Sequence, residues 1–184
     1  AGALGGGVPG ADLVVSPEHR IAVSGPVVTA IFGAAEVLVP AKALTALPGI
    51  RRMQGRRAVT YHSLMLPMHG VIRAEDARAE SFYPAPFAMD LLGPDLRHQV
   101  QQACPALLDA PETGYGPMAR RALTAPEAAT LIAAMRLSPG PLLLQAGAGQ
   151  GRTSPVLVRS APAIRPGPGT DRSAPDPVSM PQRA

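Results

Sequence analysis

In VVSPEHRIAV, residues 14–23, two short apolar runs flank Ser16, Pro17, Glu18 and His19. Both runs are rich in β-branched residues, and polar residues bound them, as expected of short strands. Ser16-Pro17 opens a turn between them, because the proline ring presets φ for a tight turn. Read by local physics, the stretch is strand, turn, strand. A serine and a histidine at one sharp turn also carry chemistry. The imidazole can protonate a leaving amide nitrogen, and the hydroxyl can orient the peptide bond being cut. The spacing alone says little, since the chain holds 17 Ser or Thr and 4 His, and short motifs recur by accident.

Working outward, residues 11–83 read as a succession of β-like runs: DLVV, RIAVS, VVTAIF, EVLV, AVTYHSLML, GVIRA and AESFY. Such spacing predicts an all-β unit built from hairpins. FGAAE and ALPGIRRMQGRR are the expected connections. The acidic AEDARAE, with Glu75, Asp76 and Glu80, lacks the glycine and spaced oxygens of a calcium loop and reads as an exposed hairpin turn.

The period changes after Tyr83. GPDLRHQVQQAC places Pro94 near a helix start, with Leu96, Val100, Ala103 and Cys104 on one face. In TAPEAATLIAAMR, Thr124 can cap a helix with Glu127 returning the bond, and Pro126 sits in the first turn. Ala128, Leu131, Ile132 and Met135 make its apolar stripe. Residues 137–184 hold 9 Pro and 6 Gly with no sustained period, the composition of a disordered tail. Three parts are expected: a β-domain over 1–84, a helical extension over 85–136 and the tail over 137–184.

Composition narrows the classes. The 184-residue chain is 46% hydrophobic but has no Trp and only 3% aromatics, so Ala, Val and Leu must fill its core. No apolar run approaches the roughly 18–20 residues of a membrane span. The net charge of +4 divides unevenly: residues 1–136 carry 12 Lys or Arg against 11 Asp or Glu, and residues 137–184 carry 5 Arg against 2 Asp. Arg51, Arg52, Arg56 and Arg57 form the one concentrated basic patch before the tail. With no aromatic interleaved to stack bases, the patch reads as a solvated hairpin tip, and no specific nucleic-acid partner is expected. The single cysteine, Cys104, excludes an internal disulfide and cysteine-rich metal sites.

Three stretches in order, SPEHRIAV, EVLVPAKAL and VTYHSLMLPMHGVIRAEDARAESFYP, resemble the C-terminal part of bacterial Hedgehog/intein (Hint) domains of the alphaproteobacterial type. LVVSPEHRIAV looks like the family's Thr/Ser-x-x-His block. VPAKAL matches a recurrent segment, YHSLMLPMHGVI looks like the late paired strands, and AESFYP their ending. The resemblance implies the later strands of a horseshoe-shaped, mainly β fold, followed by the short helical extension and the tail.

It also implies self-processing. In such domains a Cys or Ser at the domain start attacks the preceding carbonyl, and a second nucleophile resolves the ester or thioester. By resemblance His19 protonates the departing nitrogen, Ser16 holds the scissile bond, and His69 supports the second step, with no cofactor and no metal. The expected partner is the N-terminal half of the same domain, or a flanking polypeptide in cis. The chain opens on AGALGGGVPGADL and reads as a fragment that lacks the opening strand and its nucleophile. It contains no Asn, which excludes splicing by Asn cyclisation within it. The alternative is a non-catalytic structural or binding module on a Hint scaffold, which by resemblance alone would belong to a secreted or surface protein. His62 is expected to be structural, His98 solvent-facing, and Cys104 a small core hydrophobe. Zinc shared by His19, His62 and His69 is disfavoured, because no closely spaced ligand pair supports it.

Overall fold

The computed structural model describes residues 1–54 and 59–137, and the backbone of 156–160. A five-stranded mixed sheet organises the N-terminal part. Its strands are β1 (Arg20–Ser24), β2 (Glu36–Pro40), β4 (Val71–Ala74), β5 (Ala77–Glu80) and the two-residue β6 (Arg121–Ala122), in the order β4-β5-β1-β2-β6. All neighbours are antiparallel except β2 and β6. The remaining strand of the first 86 residues, β3 (Tyr61–Met65), pairs along its whole length with β7 (Val156–Ser160).

The expectation of an all-β unit over residues 11–83 is corrected, since it contains two helices, and the described residues as a whole are 32% helical and 19% strand. VVTAIF, read as a strand, is helix α1 (Pro26–Phe32). Its β-branched residues lower helix propensity by only a few tenths of a kcal/mol each, and the punctuation around them outweighs that. Pro26 presets the first helical φ, and Gly33 closes the helix in the left-handed region, at φ 64, donating its N–H to Thr29 O. The next helix, α2 (Ala41–Leu44), is the AKAL of VPAKAL.

Two further pairings differ from expectation. β3 and β4 belong to separate sheets rather than to one hairpin. The stretch Val156–Ser160, inside the part expected to be disordered, is a strand, because β3 offers it a free backbone edge. The rest of that part after Leu137, together with Arg56 and Arg57, lies outside the described residues. Arg51 and Arg52 are exposed.

The extension adds α3 (Pro86–Asp90), α4 (Pro94–Ala103), α5 (Ala106–Asp109) and α6 (Ala125–Leu137). At the start of α6 Glu127 returns the bond as expected, its carboxylate accepting from the Thr124 N–H at 2.8 Å, and the Thr124 hydroxyl donates to the same carboxylate at 2.7 Å. One core joins Ile21, Val23, Val37, Val39, Ala77 and Ala79 of the sheet to Val28, Leu44, Ala128, Leu131 and Ile132 of the helices. A second gathers Met65, Leu92, Val100, Leu107 and Tyr115, with Cys104 half-buried against it. None of the helices among the described residues is long and apolar enough to cross a membrane.

Candidate functional site

The SPEH stretch is a turn, and its backbone is tied by three hydrogen bonds. His19 N–H donates to Ser16 O at 3.1 Å, and His19 O accepts from Ala41 N–H at 2.9 Å. Pro17 O accepts from Lys42 N–H at 2.9 Å. β1 begins at the next residue, Arg20, so His19 stands half-buried at the head of a central strand. Ser16 is half-buried in the same turn.

Antiparallel register then brings a carboxylate to this point. Ile21 pairs with Ala79, so one step along the ladder Arg20 meets Glu80. The Arg20 amide donates to Glu80 Oε1 at 2.8 Å, and its guanidinium lies 3.1 Å from Oε2. Glu80 was expected in an exposed turn and is instead only 7% exposed, at the end of β5. The turn itself is Glu75-Asp76, both at positive φ (50 and 65), as the hairpin between β4 and β5 requires. The four residues after it alternate, with Ala77 and Ala79 in the core.

His69 reaches the same carboxylate from the β3–β4 connection. Gly70 and Ser81 exchange two bonds, Ser81 N–H to Gly70 O at 2.8 Å and Gly70 N–H to Ser81 Oγ at 3.0 Å. This lays His69 beside Glu80, with Nε2 3.7 Å from Oε2. The other ring nitrogen, Nδ1, accepts from Ala119 N–H at 2.9 Å. Tyr83 stands edge-on to the ring at 5.2 Å and donates its hydroxyl to Gly116 O. Tyr115 donates to Leu66 O at 2.6 Å, and burial pushes its hydroxyl up, so it stays a donor. Tyr83 thus stands against His69, and Tyr115 stands edge-on to Tyr83 at 5.7 Å.

The electrostatics of the two histidines converge on Glu80. Burial alone would raise the Glu80 carboxyl. Interaction with His69 and the charge and N–H donors of Arg20 outweigh it, and hold the group below the usual carboxylate range. Burial lowers the His19 pKa, with Arg20 adding in the same sense and Glu80 opposing. A lowered pKa makes protonated His19 a stronger acid, suited to passing a proton to a departing amide nitrogen.

Of the residues singled out in sequence, Ser16 and His19 share a turn, and His19 and His69 share Glu80. His62 and His98 are exposed and lie apart from this group. Cys104 caps α4, with Sγ 3.7 Å from Gly114 O. No group of three or more His, Cys, Asp or Glu among the described residues could hold a metal ion. A groove of about 580 Å³ borders the site, its wall including Glu18, Arg20, Lys42 and Arg136. A larger one, about 1240 Å³, lies between the N-terminal loop and α1, and none of the site histidines lines it. Arg20, Glu80 and Ala119 are the residues that sequence reasoning missed. Alternation in Ala-Arg-Ala-Glu sets Glu80 on the face of Arg78, opposite the core alanines, so it gave no signal of burial, and a backbone amide 50 residues from its acceptor gives none either.

A mixed sheet whose central strand opens on a Ser-x-x-His turn, beside a buried His–carboxylate–Arg group, defines the class. Residues 1–86 match the family described as the Hint domain. The match ends at Pro86, the first residue of α3, so the Ala119 amide and α6 lie beyond it. No curated protein and no solved structure matches the chain.

Proposed function

We propose that this Hint domain takes part in self-processing: cleavage of a peptide bond in cis through an acyl shift. A Cys or Ser upstream of the present residues attacks the carbonyl before it. The nucleophile gives up its S–H or O–H proton as the ester or thioester forms, the C–N bond breaks, and the departing backbone nitrogen takes a proton from His19. A second nucleophile, water or an added thiol, then resolves the ester and separates the two pieces. Ser16 orients the scissile peptide, and His69 supports the site from the interior. The reaction requires no cofactor or metal. The N-terminal half of the same domain, or a flanking polypeptide, is the partner in cis. The observation that carries the reading is the placement of His19, half-buried with a lowered pKa, in a turn tied by three backbone hydrogen bonds. Such a fixed acid loses little orientational freedom on reaching the transition state.

The test starts with the coding sequence upstream of Ala1, read in frame for a β-rich segment opening on Cys or Ser. Intact-mass analysis of the extended chain, with and without added thiol, follows. Cleavage that thiol accelerates and that His19→Ala abolishes in a folded chain is the expected result. An uncut mass under both conditions, or cleavage indifferent to His19→Ala, would remove the proposal. The second reading, a scaffold without catalysis, draws on the placement of Cys104 at the end of α4, among the second core. An uncut mass favours it.

A further inference from the structure

His69 is the most completely enclosed polar side chain of the site, with no exposed surface. Its nitrogens face different partners. An amide N–H can only donate, so the bond from Ala119 requires a lone pair on Nδ1, and the neutral ring then carries its proton on Nε2. Nε2 has no hydrogen-bond partner. The nearest carboxylate oxygen, Glu80 Oε2, is 3.7 Å away, beyond hydrogen-bond length and within reach of charge–dipole attraction. An enclosed ring so oriented has no nitrogen to offer a substrate.

Glu80, by contrast, touches the catalytic turn. The amide it accepts from, Arg20 N–H, belongs to the peptide bond that follows His19. With Ser16 O on the His19 N–H and Ala41 N–H on the His19 carbonyl, this third bond engages the amide that follows both backbone groups of His19. Removing the carboxylate would free that peptide and leave the guanidinium without its counter-charge.

We propose that His69 and Glu80 are positioning residues: the Ala119 amide sets the His69 tautomer, His69 presents Nε2–H to Glu80, and Glu80 fixes the His19–Arg20 peptide. The segment beyond the family-matched residues is therefore part of the site. This assigns His69 its mode of action and rests on the reading of His19 as the acid.

The experiment uses the 184-residue chain, uniformly labelled with ¹⁵N, near neutral pH. The ring shifts of His69 should report a single Nε2-protonated tautomer, with a ¹⁵N–¹⁵N coupling across the hydrogen bond from Ala119 to Nδ1. An Nδ1-protonated ring, or an averaged signal without that coupling, overturns the proposal. In Glu80→Gln the His19 titration should move down, and in Glu80→Asp it should return toward the unsubstituted value. An unmoved His19 titration in folded Glu80→Gln overturns it too. The tautomer measurement needs no substitution and decides the matter if Glu80→Gln does not fold. None of these readouts depends on cleavage, so an upstream-extended chain that never cleaves, beside a 184-residue chain with the fixed tautomer, sinks the self-processing reading alone.

Discussion

At Glu80 burial and charge pull in opposite directions, and charge wins. Its folded pKa lies below the ordinary 4.5, so its contribution to stability is complete above that value and is lost as pH falls through the folded pKa. His19 acts in the same sense from a higher pH. Its folded pKa lies below 6.5, so the folded chain resists protonation there, and stability falls as acid is added from about that pH downward. Urea unfolding between pH 8 and pH 5 should therefore show a loss of stability that His19→Gln reduces. Equal pH dependence in both chains would contradict the lowered pKa. Of this residue-scale picture, the sequence disclosed the histidines and the Ser-x-x-His spacing. It hid Glu80 in a run of charges, since burial of a carboxylate depends on Arg20 and His69, 60 and 11 residues away.

Among the elements, α6 was legible because its signals are local. Glu127, Thr124 and Pro126 all lie at its first turn, and Glu127 returns its bond to the Thr124 N–H as the spacing implied. Bonds from Thr124, and then Arg121, hold the exposed Glu127 carboxyl at about 2 against an ordinary 4.5. The cap is thus intact above pH 4.5 and fails as pH falls from there toward 2. Glu127→Gln should lower the Tm at pH 7 and have no effect near pH 2, measured by circular dichroism. Opposite logic governs α1, where β-branched composition argued for a strand and two flanking signals, Gly25-Pro26 and Gly33, decided for a helix. The short α5 shows a constraint that no propensity reveals. A Cβ on Gly114 would stand 2.4 Å from Ala106 O and 2.8 Å from Ala110 O, both rigid backbone atoms. Gly114→Ala should cost about 1–3 kcal/mol in urea unfolding and perturb the neighbouring Tyr115. A neutral substitution would show that the α5 backbone yields.

For the whole molecule, the sheet of the Hint domain is closed by residues outside it. Leu123, Ala128, Leu131 and Ile132 complete the core around Val37, Val39 and Ala79. Leu131 is fully buried, so Leu131→Ala should destabilise the chain by about 2–5 kcal/mol. Residues 1–86 alone should expose that core face, bind a hydrophobic dye and lack the cooperative melt of the full chain. A cooperative melt of 1–86 would show that the extension is dispensable. The textures of the sequence separate the β-rich part from the helical part, but they carry no information about packing between them.

What the sequence determined by itself was local or cumulative: the turn at SPEH, the α6 stripe and its cap, the absence of aromatic bulk and Asn, and a resemblance spread over several blocks. Each of these depends on neighbours within about one turn, or on composition. Tertiary structure alone decided that β3 pairs with β7, that α6 closes the sheet, and that Ala119 meets His69. Those contacts join segments far apart in the chain, and what selects them is the burial of one face against another, which a linear pattern of apolar residues marks without naming the partner.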